Sequence, residues 1–270
     1  MNRDDGPILV ERDGRRALVF TIDGSVQSEM RLDDPVALVN EYTRKMMAFL
    51  LFCPRPRDIV MLGLGGGSLV KYCRKHLPDT RLTVVEIDAA VIALRGQFAI
   101  PPDDEWLRVV HADAAMHIAD MVQAGERTEV LLVDAYDRRG MAHSVTGRQF
   151  LEQSRCLLGD TGLFVMNLAA FESDAGRMRA AIRAAFGGPV LSVRVGWGGN
   201  TIVFAGPALA DAQRLEAVSS RAQQVRAELD LEFQQLPQLV REYLSAGPAA
   251  ERGVGVRQSQ GAESGGVRPS

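Results

Sequence analysis

The sequence predicts an α/β fold built on a mostly parallel, doubly wound sheet, and three observations predict it. The first is the run Asp58-Ile59-Val60-Met61-Leu62-Gly63-Leu64-Gly65-Gly66-Gly67-Ser68, closed by Val84-Val85-Glu86-Ile87-Asp88. It reads as a buried strand, a glycine-rich turn, a helix and a second strand ending in a carboxylate. The second is the alternation of short apolar runs with helical-period segments between residues 59 and 168, which builds a parallel sheet covered by helices on both faces. The third is a pair of β-type runs, Val190 to Val195 and Thr201 to Ala205, joined by Gly196-Trp197-Gly198-Gly199-Asn200. That join is hairpin-like, so the sheet is expected to end in antiparallel strands.

In chain order, Ile8-Leu9-Val10 and Ala17 to Ile22 flank a turn at Asp13-Gly14, with Asp23-Gly24 following, which predicts an N-terminal β-hairpin. Leu38, Val39, Tyr42, Met46, Phe49 and Leu50 recur at helical spacing, which predicts a helix from Pro35 to Phe52, stopped by Pro54 and Pro56. Strands follow at Ile59–Leu62, Leu82–Val85, Leu107–His111, Val130–Val133 and Gly162–Leu168. Between and after them, helices are expected at Leu69–His76, Ala89–Phe98, Ala114–Val122, Phe150–Leu157 and Ala175–Phe186. With the closing hairpin the sheet has seven strands. Ala208 to Leu244 reads as one or two surface helices broken near Pro237, with Arg214, Arg221 and Arg226 on an exposed face. From Ala246 onward Gly, Ser, Arg and Gln dominate, so a disordered tail is expected. The organisation is thus a hairpin element (1–34), a nucleoside-binding domain (35–245) and a tail (246–270).

Bulk properties narrow the function. A chain of 270 residues with 46% hydrophobic content can bury a sizeable core. A formal net charge of −3 gives no general attraction to nucleic acid. Cys53, Cys73 and Cys156 are too widely spaced for a metal pair and suggest reduced thiols in the cytoplasm. The charged start has no apolar stretch behind it, and the longest apolar run, around Met46 to Phe52, is too short to span a bilayer. Neither a membrane, a nucleic acid nor a metal is expected as a partner.

The glycine turn and the carboxylates carry the chemistry. Gly63, Gly65 and Gly67 let backbone approach a ligand closely, and Glu86 falls about 20 residues on, where it can accept from both ribose hydroxyls. Ser68 stands where a dinucleotide fingerprint has its third glycine, which argues against a plain NAD site. Glu86, Asp113, Asp134 and Asp137 all fall at strand ends, where open α/β sheets bind ligands. The competing reading gives each acid a helix to cap or a loop to solvate. Four acids in register with a glycine turn favour the site.

These residues resemble the spermidine synthase (polyamine aminopropyltransferase) family, and the closing hairpin is similar to that of the Rossmann-like class I methyltransferase fold. The ribose motif of the family matches Val85-Glu86-Ile87-Asp88, and its Gly-Asp adenine motif matches Ala112-Asp113. Its loop of type Asp-Ser-Ser-Asp-Pro-x-Gly-Pro-Ala-Glu-Ser matches Asp134 to Ser144, and Leu-Asp-Gly-x-x-Gln matches Ile22 to Gln27. The resemblance implies aminopropyl transfer from decarboxylated S-adenosylmethionine to an amine in polyamine biosynthesis. No tightly bound cofactor is implied; the nucleoside is a co-substrate. Asp134 would deprotonate the amine, Asp137 and Tyr136 would hold it, and Gln27 and Asp113 would line the nucleoside pocket. A homodimer is left open.

The acceptor half departs from the pattern more than the donor half. Gly66 stands where the family has an acid in the turn, Arg138 and Arg139 follow the second loop aspartate, and His143 replaces a glutamate. Two cations would repel a polycation. Two rival readings therefore stand beside the synthase: a methyltransferase using S-adenosylmethionine with another acceptor, and a non-catalytic nucleoside-binding protein.

Overall fold

The structure, a computed structural model, describes residues 6–20, 26–138, 140–169, 175–196 and 199–246. Its centre is a seven-stranded sheet of β4 (Asp58–Leu62), β5 (Arg81–Glu86), β6 (Leu107–His111), β7 (Val130–Val133), β10 (Leu163–Leu168), β11 (Leu191–Arg194) and β12 (Thr201–Ala205). The spatial order is β11-β12-β10-β7-β4-β5-β6. The five strands from β10 to β6 are parallel, and β12 runs antiparallel to both β10 and β11. The predicted α/β architecture and its closing hairpin are both present.

Period-two alternation splits the core across the sheet. Ile59, Met61, Val84, Leu132 and Val165 point to one face, and Val60, Leu62, Val85, Leu131 and Val133 to the other. The second face is covered by α4 (Ala114–Gln123), α5 (Arg148–Leu157) and α6 (Ala175–Phe186), which contribute Ile118, Leu151 and Ile182. The first is covered by α1 (Glu41–Met46), the 3₁₀ turn Met47–Leu51, α2 (Ser68–His76), α7 (Ala212–Glu216), α8 (Val218–Leu229) and α9 (Gln235–Ala246).

Four expectations are corrected. The N-terminal element is a three-stranded antiparallel sheet, β1 (Ile8–Arg12), β2 (Arg15–Val19) and β3 (Val26–Arg31), not a hairpin. The expected second strand ran on to Ile22, but residues 21–25 lie outside the described residues, as do the 22–25 part of the upstream motif, Arg139, Trp197 and the tail beyond Ala246.

The helix expected from Pro35 begins only at Glu41. The carbonyls of Leu38, Val39 and Asn40 accept instead from the side chains of Arg44 and Thr43. Likewise α3 (Ala89–Ala93) stops short of Phe98: beyond it Leu94, Arg95 and Gln97 N–H donate to carbonyls three residues back, and the chain turns through Ala99 at φ +53°.

In the C-terminal region the break falls at residues 230–234, and Pro237 sits in the first turn of α9, where its missing N–H costs no helical bond. These helices are not merely superficial, since Val218, Val225, Leu236 and Val240 are buried. Arg221 and Arg214 donate to the carbonyls of Leu51 and Thr161 rather than forming a solvated face.

Candidate active site

A cavity of about 490 Å³ opens at the carboxyl ends of the parallel strands. From β4 the chain winds outward through β5 and β6 on one side and through β7 and β10 on the other. The reversal leaves a crevice at the end of β4, where doubly wound sheets bind ligands. Gly63 and Gly65 line it with φ of +98° and +49°, and Ser68 follows in the first turn of α2. Gly67, at φ +64°, is instead the residue before α2, and a Cβ there would strike the Ile100 side chain. Gly66 faces away from the cavity; a Cβ on it would stand 2.6 Å from Ser28 Oγ and 2.9 Å from the Phe98 ring.

On the donor side, Glu86 at the end of β5 accepts from Leu64 N–H on Oε2 and from Asp88 N–H on Oε1, both at 2.9 Å. Those two bonds fix the carboxylate and leave each oxygen a further lone pair toward the cavity. Asp113 lines the cavity and also caps α4, its Oδ1 accepting from Ala115 and Met116 N–H at 2.9 and 3.0 Å. The capping and site readings coexist at this residue. Gln27, from β3, completes this wall.

The other end is organised by Asp134, just past β7. Asn167 Nδ2 donates to its Oδ1 at 2.8 Å, and the Tyr42 phenol lies beside the same carboxylate. Burial pushes the Asp134 carboxyl above the usual range, and the polar groups of Asn167 and Tyr42 oppose that shift. Burial and the neighbouring Asp134 charge push the Tyr42 phenol well above its ordinary value, so it stays a donor. A sequestered carboxylate of raised basicity can take a proton that an exposed one would leave in water.

Beyond Asp134, Tyr136–Asp137 (β8) and Gly140–Met141 (β9) form a two-stranded hairpin. Tyr136 and Asp137 both border the cavity. The Tyr136 hydroxyl donates to Asn167 O at 2.8 Å and accepts from Ala169 N–H at 2.7 Å, so it anchors this hairpin to β10. Arg138 lies over the Phe20 ring, 5.6 Å from its centroid. His143 is exposed.

The geometry thus brings the glycine turn, Glu86, Asp113, Gln27, Asp134, Tyr136 and Asp137 around one cavity. Tyr42 and Asn167 escaped the sequence reading, Tyr42 as a core position of a helix and Asn167 as part of an apolar strand. A signal existed for both. A hydroxyl or amide inside an apolar run must find a buried partner. Among the described residues no group of three or more His, Cys, Asp or Glu side chains could hold a metal, and no helix is long and apolar enough to cross a membrane.

Fold and cavity together define a domain of the methyltransferase-like fold with a cleft at the carboxyl ends of its strands. The spermine/spermidine synthase domain matches residues 39–181. A polyamine aminopropyltransferase of Neisseria meningitidis is 33% identical over 214 residues, 78% of this chain and 80% of the relative. A probable spermidine synthase from Corynebacterium glutamicum shares the fold at a TM-score of 0.66 and 20% identity, over 95% of both chains. A spermidine synthase solved with the transition-state analogue AdoDATO gives 0.62 at 18% identity, covering 87% of this chain and 84% of that one. The chain belongs to the spermine/spermidine synthase family.

Proposed function

We propose that this chain is an aminopropyltransferase of polyamine biosynthesis, using decarboxylated S-adenosylmethionine to alkylate an amine. The observation that carries the reading is the half-buried Asp134 carboxylate, held by Asn167 beside Tyr42 and lining the same cavity as Glu86. Glu86 receives the ribose, Asp113 the adenine, and Gln27 and the turn at Gly63 and Gly65 the rest of the nucleoside; Gly67 acts indirectly, by starting α2.

The acceptor amine arrives mostly protonated at neutral pH. Asp134 takes one ammonium proton, and Asp137 and Tyr136 hold the amine in line. The nitrogen lone pair attacks the methylene beside the sulfonium, the carbon–sulfur bond breaks, and its electron pair stays on sulfur, releasing methylthioadenosine. The product amine is again an ammonium, and the proton that Asp134 took passes to solvent, which restores the carboxylate. Position and proton removal are what the protein supplies. Arg138 is held over Phe20, which lines the cavity, and is not itself among the lining residues. The proposal includes a cytoplasmic protein, a homodimer, and the division into 1–34, 35–245 and 246–270.

One observation favours methyl transfer instead: the close packing at Gly66 leaves no room for an acid in the turn. The deciding experiment incubates the purified chain with each donor and a panel of di- and polyamines, reading products by mass spectrometry. An added aminopropyl group supports the proposal. A methylated acceptor with carboxylated donor alone overturns it, and binding without either transfer leaves the non-catalytic reading.

A further inference from the structure

We propose that Asn167 is a positioning residue, its amide holding the Asp134 carboxylate and Asn200 supporting that amide from the other side. Asn167 lies within β10, between Met166 and Leu168, and is 3% exposed. Both functions of its amide are engaged. Nδ2 donates to Asp134 Oδ1 at 2.8 Å, and Oδ1 accepts from Asn200 Nδ2 at 2.9 Å.

The two bonds support one another. An amide turned by half a rotation would set its oxygen against the Asp134 carboxylate and its NH₂ against the Asn200 NH₂, so both contacts would become repulsive. The carboxylate can only accept and so requires Nδ2 on its side, while Asn200 satisfies the amide oxygen this leaves on the other. Asn200 belongs to the connection between β11 and β12, so the closing hairpin of the sheet reaches the carboxylate through one intervening side chain. The Asn167 backbone oxygen also receives the Tyr136 hydroxyl. The same residue thus ties the β8–β9 hairpin to the carboxylate's support.

Asn167 on β10 donates to the carboxylate, and the Tyr42 phenol on α1 lies beside it. The other titratable groups around it are Tyr136 on β8 and, along the same cavity, Glu41, Glu86, Asp113 and Asp137. A donor to a carboxylate favours its charged form, so removing Asn167 raises the pH at which Asp134 titrates.

The kinetic part of this inference rests on the proposed aminopropyl transfer; the titration does not. The test labels aspartate carboxyl carbons with ¹³C, assigns Asp134 with D134N, and follows its resonance against pH in the full chain and in N167L and N200A. The expected result is an Asp134 midpoint raised by about one pH unit in N167L, a tenfold change in proton affinity, and by less in N200A. The acid limb of kcat/KM for the amine should move by the same amount, with methylthioadenosine affinity changed less than about twofold. An unmoved midpoint in folded N167L overturns the inference. Should N167L not fold, N200A decides, and an unmoved midpoint there overturns it equally. A shifted midpoint without detectable transfer leaves the positioning role standing and removes the proposed function; transfer with an unmoved midpoint does the reverse.

Discussion

The Glu86 carboxylate at the end of β5 accepts from the Leu64 amide in the glycine turn at 2.9 Å, so one side chain ties two neighbouring strand ends together. Its other oxygen holds Asp88 N–H at 2.9 Å. Glu86→Ala should weaken methylthioadenosine binding more than tenfold, since charge-assisted bonds to the ribose contribute about 1.5–3 kcal/mol each. Calorimetric titration of the folded variant checks this; unchanged affinity would remove the ribose assignment.

Gly63 should tolerate no side chain. Its φ is +98°, and a Cβ there would meet the backbone carbonyl of Asp134, which cannot move without displacing the site. Gly63→Ala is expected to destabilise the fold by about 2–4 kcal/mol in urea unfolding. Gly125, at φ +74° with open space around it, is the control, and its Ala variant should lose only about 1 kcal/mol. Equal losses would show that φ alone sets the penalty.

Lys71 is 4% exposed, and its ammonium donates to Phe98 O at 2.8 Å. Burial lowers its pKa to about 8 from the ordinary 10.5. The folded pKa lies below the unfolded one, so the charge destabilises the fold fully below about pH 8, and the penalty fades as pH rises to 10.5. Lys71→Met should therefore be more stable than the parent by about 1–2 kcal/mol at pH 7, and the advantage should shrink between pH 8 and 10.5. An advantage independent of pH would place the ammonium in water.

Asp134→Asn keeps the shape of the carboxylate but is no useful base. Nucleoside affinity should persist while turnover falls by about 10²-fold or more. Raising the pH should partly restore the variant's rate, because more of the amine is then already neutral. Full activity in the variant would make Asp134 structural.

Truncation after Gly247 leaves α9 intact, and the sequence beyond has little apolar surface to bury. Melting temperature and ligand binding should stay nearly unchanged. A large drop would show that the tail docks.

Much of this was legible in the chain. The strands at 59–62, 82–85, 107–111 and 130–133 are short apolar runs between glycines, charges and helical periods, and each forms within a residue or two of its expected bounds. Two helix ends were misjudged. Neither Arg44 reaching Leu38 and Val39 nor the i→i+3 turns after Ala93 leave a periodic trace. The strand Val26–Arg31 was hidden because Glu29 and Arg31 break its apolar content, while pairing with β2 supplies the ladder that stabilises it.

The sequence by itself determined the sheet, its closing hairpin, the glycine turn and the acids at strand ends. Local periodicity and turn chemistry act between near neighbours, and those are written along the chain. Only the tertiary structure decided which groups serve Asp134. Tyr42, Asn167 and Asn200 stand 92, 33 and 66 residues away from it, by subtraction of their numbers. They meet only because β7 and β10 pair in parallel and α1 packs across their ends. A hydrogen bond depends on distance and direction in space, and sequence spacing encodes neither across a fold.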